Sequence, residues 1–106
     1  MFGFGKLTRD KLANGNVQKE YNGKDLTGLD LSGITFTQCE FKNTNFTSTN
    51  LSKTVFEQCE MQGANFTHAN IEGASFEQCE LQSSNVETAG RGKASYSQCE
   101  GVEDTD

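Results

Sequence analysis

Phe36-Thr37-Gln38-Cys39-Glu40-Phe41-Lys42-Asn43-Thr44-Asn45-Phe46 and Phe56-Glu57-Gln58-Cys59-Glu60-Met61-Gln62-Gly63-Ala64-Asn65-Phe66 carry one pattern, twenty residues apart. Within each, a bulky apolar residue recurs every five. Followed outward, the register runs Tyr21, Leu26, Leu31, Phe36, Phe41, Phe46, Leu51, Phe56, Met61, Phe66, Ile71, Phe76, Leu81, Val86, Arg91, Tyr96. Of these sixteen positions only Arg91 is not large and apolar. Neither a helix of period 3.6 nor a strand of period 2 holds a five-residue register on one face. A repeat kept this long marks a solenoid, in which each unit stacks on the next.

The longer period comes from Gln-Cys-Glu, which recurs at Cys39, Cys59, Cys79 and Cys99. Twenty is four fives, so four units make one coil with four sides, and equivalent residues of successive coils lie above one another. The register residue fills the tube. The residue two before it also points inward at a tighter place, which suits Cys39, Thr44, Thr49, Thr54, Cys59, Ala64, Ala69, Ala74 and Cys79. The other three of each unit face water. A chain only 33% hydrophobic can therefore still bury a continuous interior.

Ala64-Asn-Phe-Thr-His68 and Ala69-Asn-Ile-Glu-Gly73 resemble the A-[DN]-[LF]-X-X consensus of pentapeptide-repeat proteins. The resemblance implies an all-β fold, a right-handed quadrilateral β-helix, here of about four coils over residues 19–100. Phe36-Thr-Gln-Cys39-Glu-Phe41 and its copies are further similar to a variation common in quinolone-resistance (Qnr-like) members. That subgroup implies a non-enzymatic dimer resembling a DNA duplex in shape and charge, which binds DNA gyrase or topoisomerase IV. This chain departs from it in having only about four coils and no apolar C-terminal segment.

Residues 1–18 precede the repeat as an arm or cap. Thr8 is placed to cap a short helix, Leu7 and Leu12 share a face, and Asn14-Gly15 stops it. Phe2, Phe4, Leu7 and Leu12 then close the N-terminal end, the alternative being a mobile arm that docks on a partner. At the other end Gly90-Arg91-Gly92 interrupts the register. A guanidinium at the tube centre is prohibitively costly, so a local bulge or kink is expected to turn Arg91 outward. Residues 101–106 form a short acidic tail, expected to leave the last coil uncovered. Leu81, Val86, Arg91 and Tyr96 are then the candidate end-to-end interface, most simply for a homodimer.

Charge is uneven. Residues 1–24 hold five cations against two acids, whereas residues 25–106 hold four against thirteen. The body would repel phosphates, which argues against direct nucleic-acid binding. Glu40, Glu60, Glu80 and Glu100 are expected to project from one side at about 4.8 Å spacing, thickened by Glu57 and Glu77. Stacked carboxylates repel by about 1 kcal/mol per close pair before screening. The stripe is either a cheap solubilising surface or an interaction face.

Four thiols in a line do not converge on a metal, and stacked neighbours are too far apart for disulfides. They read as reduced structural residues of a cytoplasmic protein, although secretion as an effector stays open. His68 stands at an outward corner with no triad or metal partner at a recognisable spacing, so neither catalysis, metal nor cofactor is expected. No eighteen-residue apolar run spans a membrane, and no apolar stretch follows Lys6 and Arg9 to make a signal peptide. Two functions fit: a scaffold or interaction module for an unidentified protein partner, or a DNA-mimicking modulator of a topoisomerase. The shortness of the rod favours the first.

Overall fold

The computed structural model describes residues 7–105. In chain order it contains helix α1 (Arg9–Asn14), strands β1 (Thr35–Thr37), β2 (Val55–Glu57) and β3 (Ser75–Glu77), helix α2 (Val86–Ala89) and strand β4 (Ser95–Ser97). The strands form one parallel sheet in the order β1-β2-β3-β4, pairing Phe36 with Phe56, Phe56 with Phe76 and Phe76 with Tyr96. Single bridges at the same spacing build three more ladders. One joins Glu20, Glu40, Glu60, Glu80 and Glu100, another Asp25, Asn45 and Asn65, and the last Asp30, Asn50 and Asn70. Four ladders around one chain make a four-sided β-helix.

The five-residue period comes from the corners. On the three sides outside the β1–β4 sheet, the carbonyl of the filling residue accepts from the N–H three residues on: Phe41 from Thr44 at 3.2 Å, Phe46 from Thr49 and Leu51 from Thr54 at 3.1 Å. The residue between, two past the filler, has positive φ: 55° at Asn43, 58° at Ser48, 59° at Lys53. This is the pattern of a type II turn. An Asp or Asn just before the filler braces the corner. Asn45 Oδ1 accepts from the Thr47 N–H at 3.0 Å and its hydroxyl at 2.5 Å, and Asp25 with Thr27 and Asn65 with Thr67 repeat the arrangement. Short polar side chains that bond their own backbone two residues on favour turns in this way.

All twelve residues expected in the core are buried: Phe36, Phe41, Phe46, Leu51, Phe56, Met61, Phe66, Ile71, Phe76, Cys39, Cys59 and Cys79. Aromatic rings stack from coil to coil, with centroids 5.4 Å apart for Phe36–Phe56, 5.0 Å for Phe56–Phe76 and 5.3 Å for Phe76–Tyr96. Between sides they meet edge to face, as Phe36 does Phe41 at 86°. Both geometries suit the ring quadrupole.

The compact inward residues do more than fit. Thr44, Thr49 and Thr54 donate their hydroxyls at 2.8 Å to the carbonyls of Tyr21, Leu26 and Leu31, one coil below. The thiols repeat this: Cys59 to Phe36 O at 3.5 Å, Cys79 to Phe56 O and Cys99 to Phe76 O at 3.2 Å. Thr and Cys serve alike here because each pairs a small body with a donor that reaches a carbonyl one coil below, whereas the Ser84 hydroxyl at the same position is buried without a partner. Burial pushes the Cys39 and Cys99 thiols up from their ordinary range. At Cys79 the contact with Cys59, and then burial, do the same.

Helix α1 packs against the first coil. Thr8 caps it by accepting from Lys11 N at 3.3 Å, and Leu12 is fully buried in the core. Arg9 clamps it to the first coil, donating to Asp30 O at 2.8 Å and Ser32 O at 2.9 Å. The Tyr21 hydroxyl donates to Gly15 O at 2.7 Å. Phe2 and Phe4, expected to help close the N-terminal end, lie outside the described residues.

The last coil slips by one residue. Arg91 pairs with Asn70, twenty-one residues away, and β4 restores the spacing of twenty at Ser95. The single turn of α2 takes one residue more than the corners below it, and the run from Arg91 to Ser95 takes one fewer than that from Asn70 to Ser75, so the coil as a whole keeps twenty. Arg91 therefore stands at a corner rather than at the tube centre, exposed, with Nε 3.4 Å from His68 O. The sequence placed it at the centre and needed a bulge to turn it out; a helical turn and a register shift do so instead. Gly90 is required for close approach, since a Cβ would lie 2.9 Å from Ile71 Cδ1. Gly92, at φ +94°, takes the filler's place and leaves a shallow cleft between Ile71, Val86, Ala94 and Tyr96.

Truncating Phe56→Ala removes a ring touching three sides of the stack. Urea unfolding should show a loss of about 3–5 kcal/mol. Alkali should also destabilise the protein. Burial, with the Glu87 charge, pushes Tyr96 up to about 12, and the Cys39, Cys79 and Cys99 thiols are raised as well, so the folded state holds these protons more tightly than the unfolded chain. Their stabilisation is complete below about pH 8.5, the unfolded thiol value, and is lost as pH rises through the folded values. Thermal midpoints by circular dichroism should fall steadily above that pH; a flat profile to pH 11 would contradict this account.

Candidate interaction faces

Backbone register, not side-chain choice, lines up the acidic stripe. Glu40, Glu60, Glu80 and Glu100 are bridge partners in one ladder, while Glu57 and Glu77 pair side by side in β2 and β3. Coil spacing sets their separation at about 4.8 Å. The ladder begins one rung earlier than the sequence suggested, at Glu20. That rung was missed because Lys19 replaces the cysteine; Gln18-x-Glu20 at the same spacing of twenty was the available signal.

The carboxylates are held sideways rather than left bare. Asn22 Nδ2 donates to Glu40 Oε1 at 3.0 Å and Gln62 Nε2 to Glu80 Oε1 at 2.7 Å. Between them Lys42 Nζ lies 3.2 Å from Glu60 and 3.7 Å from Glu40. Each of Asn22, Lys42 and Gln62 sits two residues past one rung and reaches the next, a second column the sequence reading did not use. The Glu60 carboxylate, followed by Glu40, holds the Lys42 ammonium above its ordinary range. These exposed contacts are worth little individually, but they orient the acids.

Beside the Glu ladder runs one of glutamines, with Gln18 Nε2 3.1 Å from Gln38 Oε1 and Gln58 Nε2 3.4 Å from Gln78 Oε1. Gln38, Gln58 and Gln78 with Glu40, Glu60 and Glu80 enclose a polar groove over Cys39 and Cys59. Its chemistry is that of a carboxylate and amide surface suited to cations and hydrogen-bond donors.

The candidate end-to-end residues do not form a face. Leu81, Val86 and Tyr96 are buried in the protomer, and only Arg91 is exposed. The tail, expected to be too short and acidic to cover this end, folds over it. Thr105 N donates to Tyr96 O at 2.9 Å, Tyr96 N to Thr105 Oγ1 at 2.9 Å and Gln98 N to Asp104 Oδ1 at 2.8 Å, while Val102 packs on the core. Its polar side chains supply the bonds that a further coil would have made.

His68 is exposed. Among the described residues no group of His, Cys, Asp or Glu is arranged to hold a metal ion, and no helix is long and apolar enough to cross a membrane.

The fold has solved relatives. QnrB1, a plasmid-mediated fluoroquinolone resistance protein, superposes with a TM-score of 0.67 at 23% identity, over 78% of this chain and 44% of its own. HetL, involved in heterocyst differentiation regulation in the cyanobacterium Nostoc sp. strain PCC 7120, gives 0.55 at 19% identity, over 76% of this chain and 38% of its own. The chain thus spans less than half the length of either. No curated protein sequence matches it significantly. The model of the pentapeptide repeat region matches residues 22–100. With that span and the four ladders together, the chain belongs to the pentapeptide-repeat family.

Proposed function

We propose that this chain is a non-enzymatic interaction module: a right-handed rod of about four coils, closed at its N-terminal end by α1, that presents an ordered acidic side to a basic protein surface. One observation carries the reading. The Glu20–Glu40–Glu60–Glu80–Glu100 ladder has its spacing set by backbone bridges, and the carboxylates of Glu40, Glu60 and Glu80 are oriented by the column of Asn22, Lys42 and Gln62. A purely solubilising surface needs no such order. The ladder and the flanking Glu57 and Glu77 form the contact, and the cysteines beneath serve packing.

A second reading is favoured by the likeness to QnrB1. In it the acidic side imitates a duplex for DNA gyrase or topoisomerase IV. The rod measures 47 × 25 × 23 Å, and duplex DNA repeats its phosphates every ~3.4 Å of rise per strand. The ladder, at about 4.8 Å in a straight column, follows neither that spacing nor a helical path. The scaffold reading is therefore preferred.

Gyrase supercoiling, assayed with and without a fluoroquinolone, separates the two. The module reading expects no inhibition and no drug protection at low micromolar protein. Replacing Glu40, Glu60, Glu80 and Glu100 by Gln should leave the circular-dichroism spectrum unchanged and the thermal midpoint equal or higher, because like-charge repulsion is relieved. Inhibition by the natural chain that is lost in the Gln variant would establish the topoisomerase reading instead.

A further inference from the structure

Residues 25–106 carry four cations, and three of them, Lys53, Arg91 and Lys93, share one side. Ten residues, two sides of the tube, separate Glu40 from Asn50 and Glu60 from Asn70, so the Asn50–Asn70–Arg91 ladder runs opposite the glutamates. Lys53 N donates to Glu72 O at 3.0 Å and Gly73 N to Lys93 O at 2.8 Å, which stacks Lys53, Gly73 and Lys93 at the corner of that side. Lys53 lies along the rod. A Cβ on Gly73 would fall 3.3 Å from Lys53 Cγ, so the missing side chain leaves a path for the lysine stem. All three cations are exposed. Among the described residues none of them forms an ion pair, whereas Lys42 is held by Glu40 and Glu60 and Arg9 by Asp30. The acids of this side are occupied: Glu72 Oε1 accepts from Lys93 N at 3.0 Å, and Asp30 is paired with Arg9. The rod is therefore charged across its width, negative on one side and positive on the other.

We propose that the acidic ladder of one chain docks on the Lys53–Arg91–Lys93 side of a second copy, so that rods associate flank to flank; this rests on the reading of the ladder as a contact face. Charge complementarity selects the partner, and so does spacing. Both flanks belong to one solenoid, so their charges repeat at the same coil rise of about 4.8 Å, and the two stay in step along the contact. An extended basic strand, whose same-face residues recur every ~6.6 Å, would fall out of step with the ladder. The contact joins unlike surfaces. Each docked copy therefore leaves one acidic and one basic flank free, and the row has no fixed end. Exposed ion pairs are individually weak, so association belongs to high concentration and low salt.

Sedimentation velocity at high micromolar protein and about 10 mM ionic strength, where charges act over about 30 Å, tests this. The mean mass of the natural chain should rise with concentration beyond that of a pair. At about 1 M NaCl, where the screening length is about 3 Å, it should return to one protomer. Two variants divide the surfaces. Lys53→Gln with Arg91→Gln and Lys93→Gln keeps only the acidic flank; Glu40→Gln with Glu60→Gln and Glu80→Gln keeps only the basic one. Each alone should stay a protomer, and an equimolar mixture should form pairs and stop there. Both variants remain net negative, so pairing would report the complementary flanks rather than overall charge. None of the six side chains belongs to the core, and circular dichroism establishes that both variants fold. A natural chain that stays a protomer at low salt would overturn the proposal, as would a mixture that does not pair, or either variant assembling alone. Binding of a short lysine homopeptide at low micromolar protein, followed by fluorescence anisotropy, judges the underlying reading separately. A peptide bound by the natural chain and lost by the glutamate-to-glutamine variant keeps the ladder a contact face even where copies stay apart. Protomers that bind no peptide would remove both.

Discussion

Everything in this rod depends on parallel, in-register hydrogen bonding between coils. Because each backbone bridge joins residues twenty apart, one side chain's environment is set by its equivalents above and below. Phenylalanines find phenylalanines, asparagines find asparagines, and glutamates are forced to face glutamates. The same constraint that builds a core from a chain poor in apolar residues also imposes electrostatic repulsion along one side. The chain answers with an adjacent column, Asn22, Lys42 and Gln62, that turns the carboxylates aside. Core and surface share one rule.

That rule explains how far the sequence could be read. A five-residue register of large residues, crossed by a twenty-residue spacing of Gln-Cys-Glu, names a four-sided solenoid because no other regular structure keeps either period. The filling residues were legible one by one. The role of the compact inward residues was legible only as size; that threonine and cysteine both donate to a carbonyl one coil below depends on three-dimensional stacking. Glu20 escaped notice for the opposite reason, since its rung keeps the backbone equivalence while losing the cysteine that advertised it.

The C-terminal end was the least legible part. Arg91 signalled a disturbance and its outward turn followed from the cost of a buried charge, but sequence could not say that the register slips by one residue at α2 and recovers before Ser95. The tail misled more completely. Its acidity read as an inability to cover apolar surface, yet what the last coil lacks is hydrogen-bonding partners as much as apolar cover, and Asp104 and Thr105 supply them. A polar segment can finish a sheet that it could never finish as a core.

The slip around α2 has a consequence for how such chains can change length. One residue borrowed at α2 is given back before Ser95 and the strand returns to its place, so a local slip need not propagate. Five added residues would also close neatly, but they would rotate everything above the insertion by a quarter turn and carry the upper glutamates onto a neighbouring side. Only additions of twenty lengthen the rod and its charged column together. The family's basic unit of folding is therefore shorter than its unit of surface inheritance, and duplications that preserve a binding side should come in whole coils.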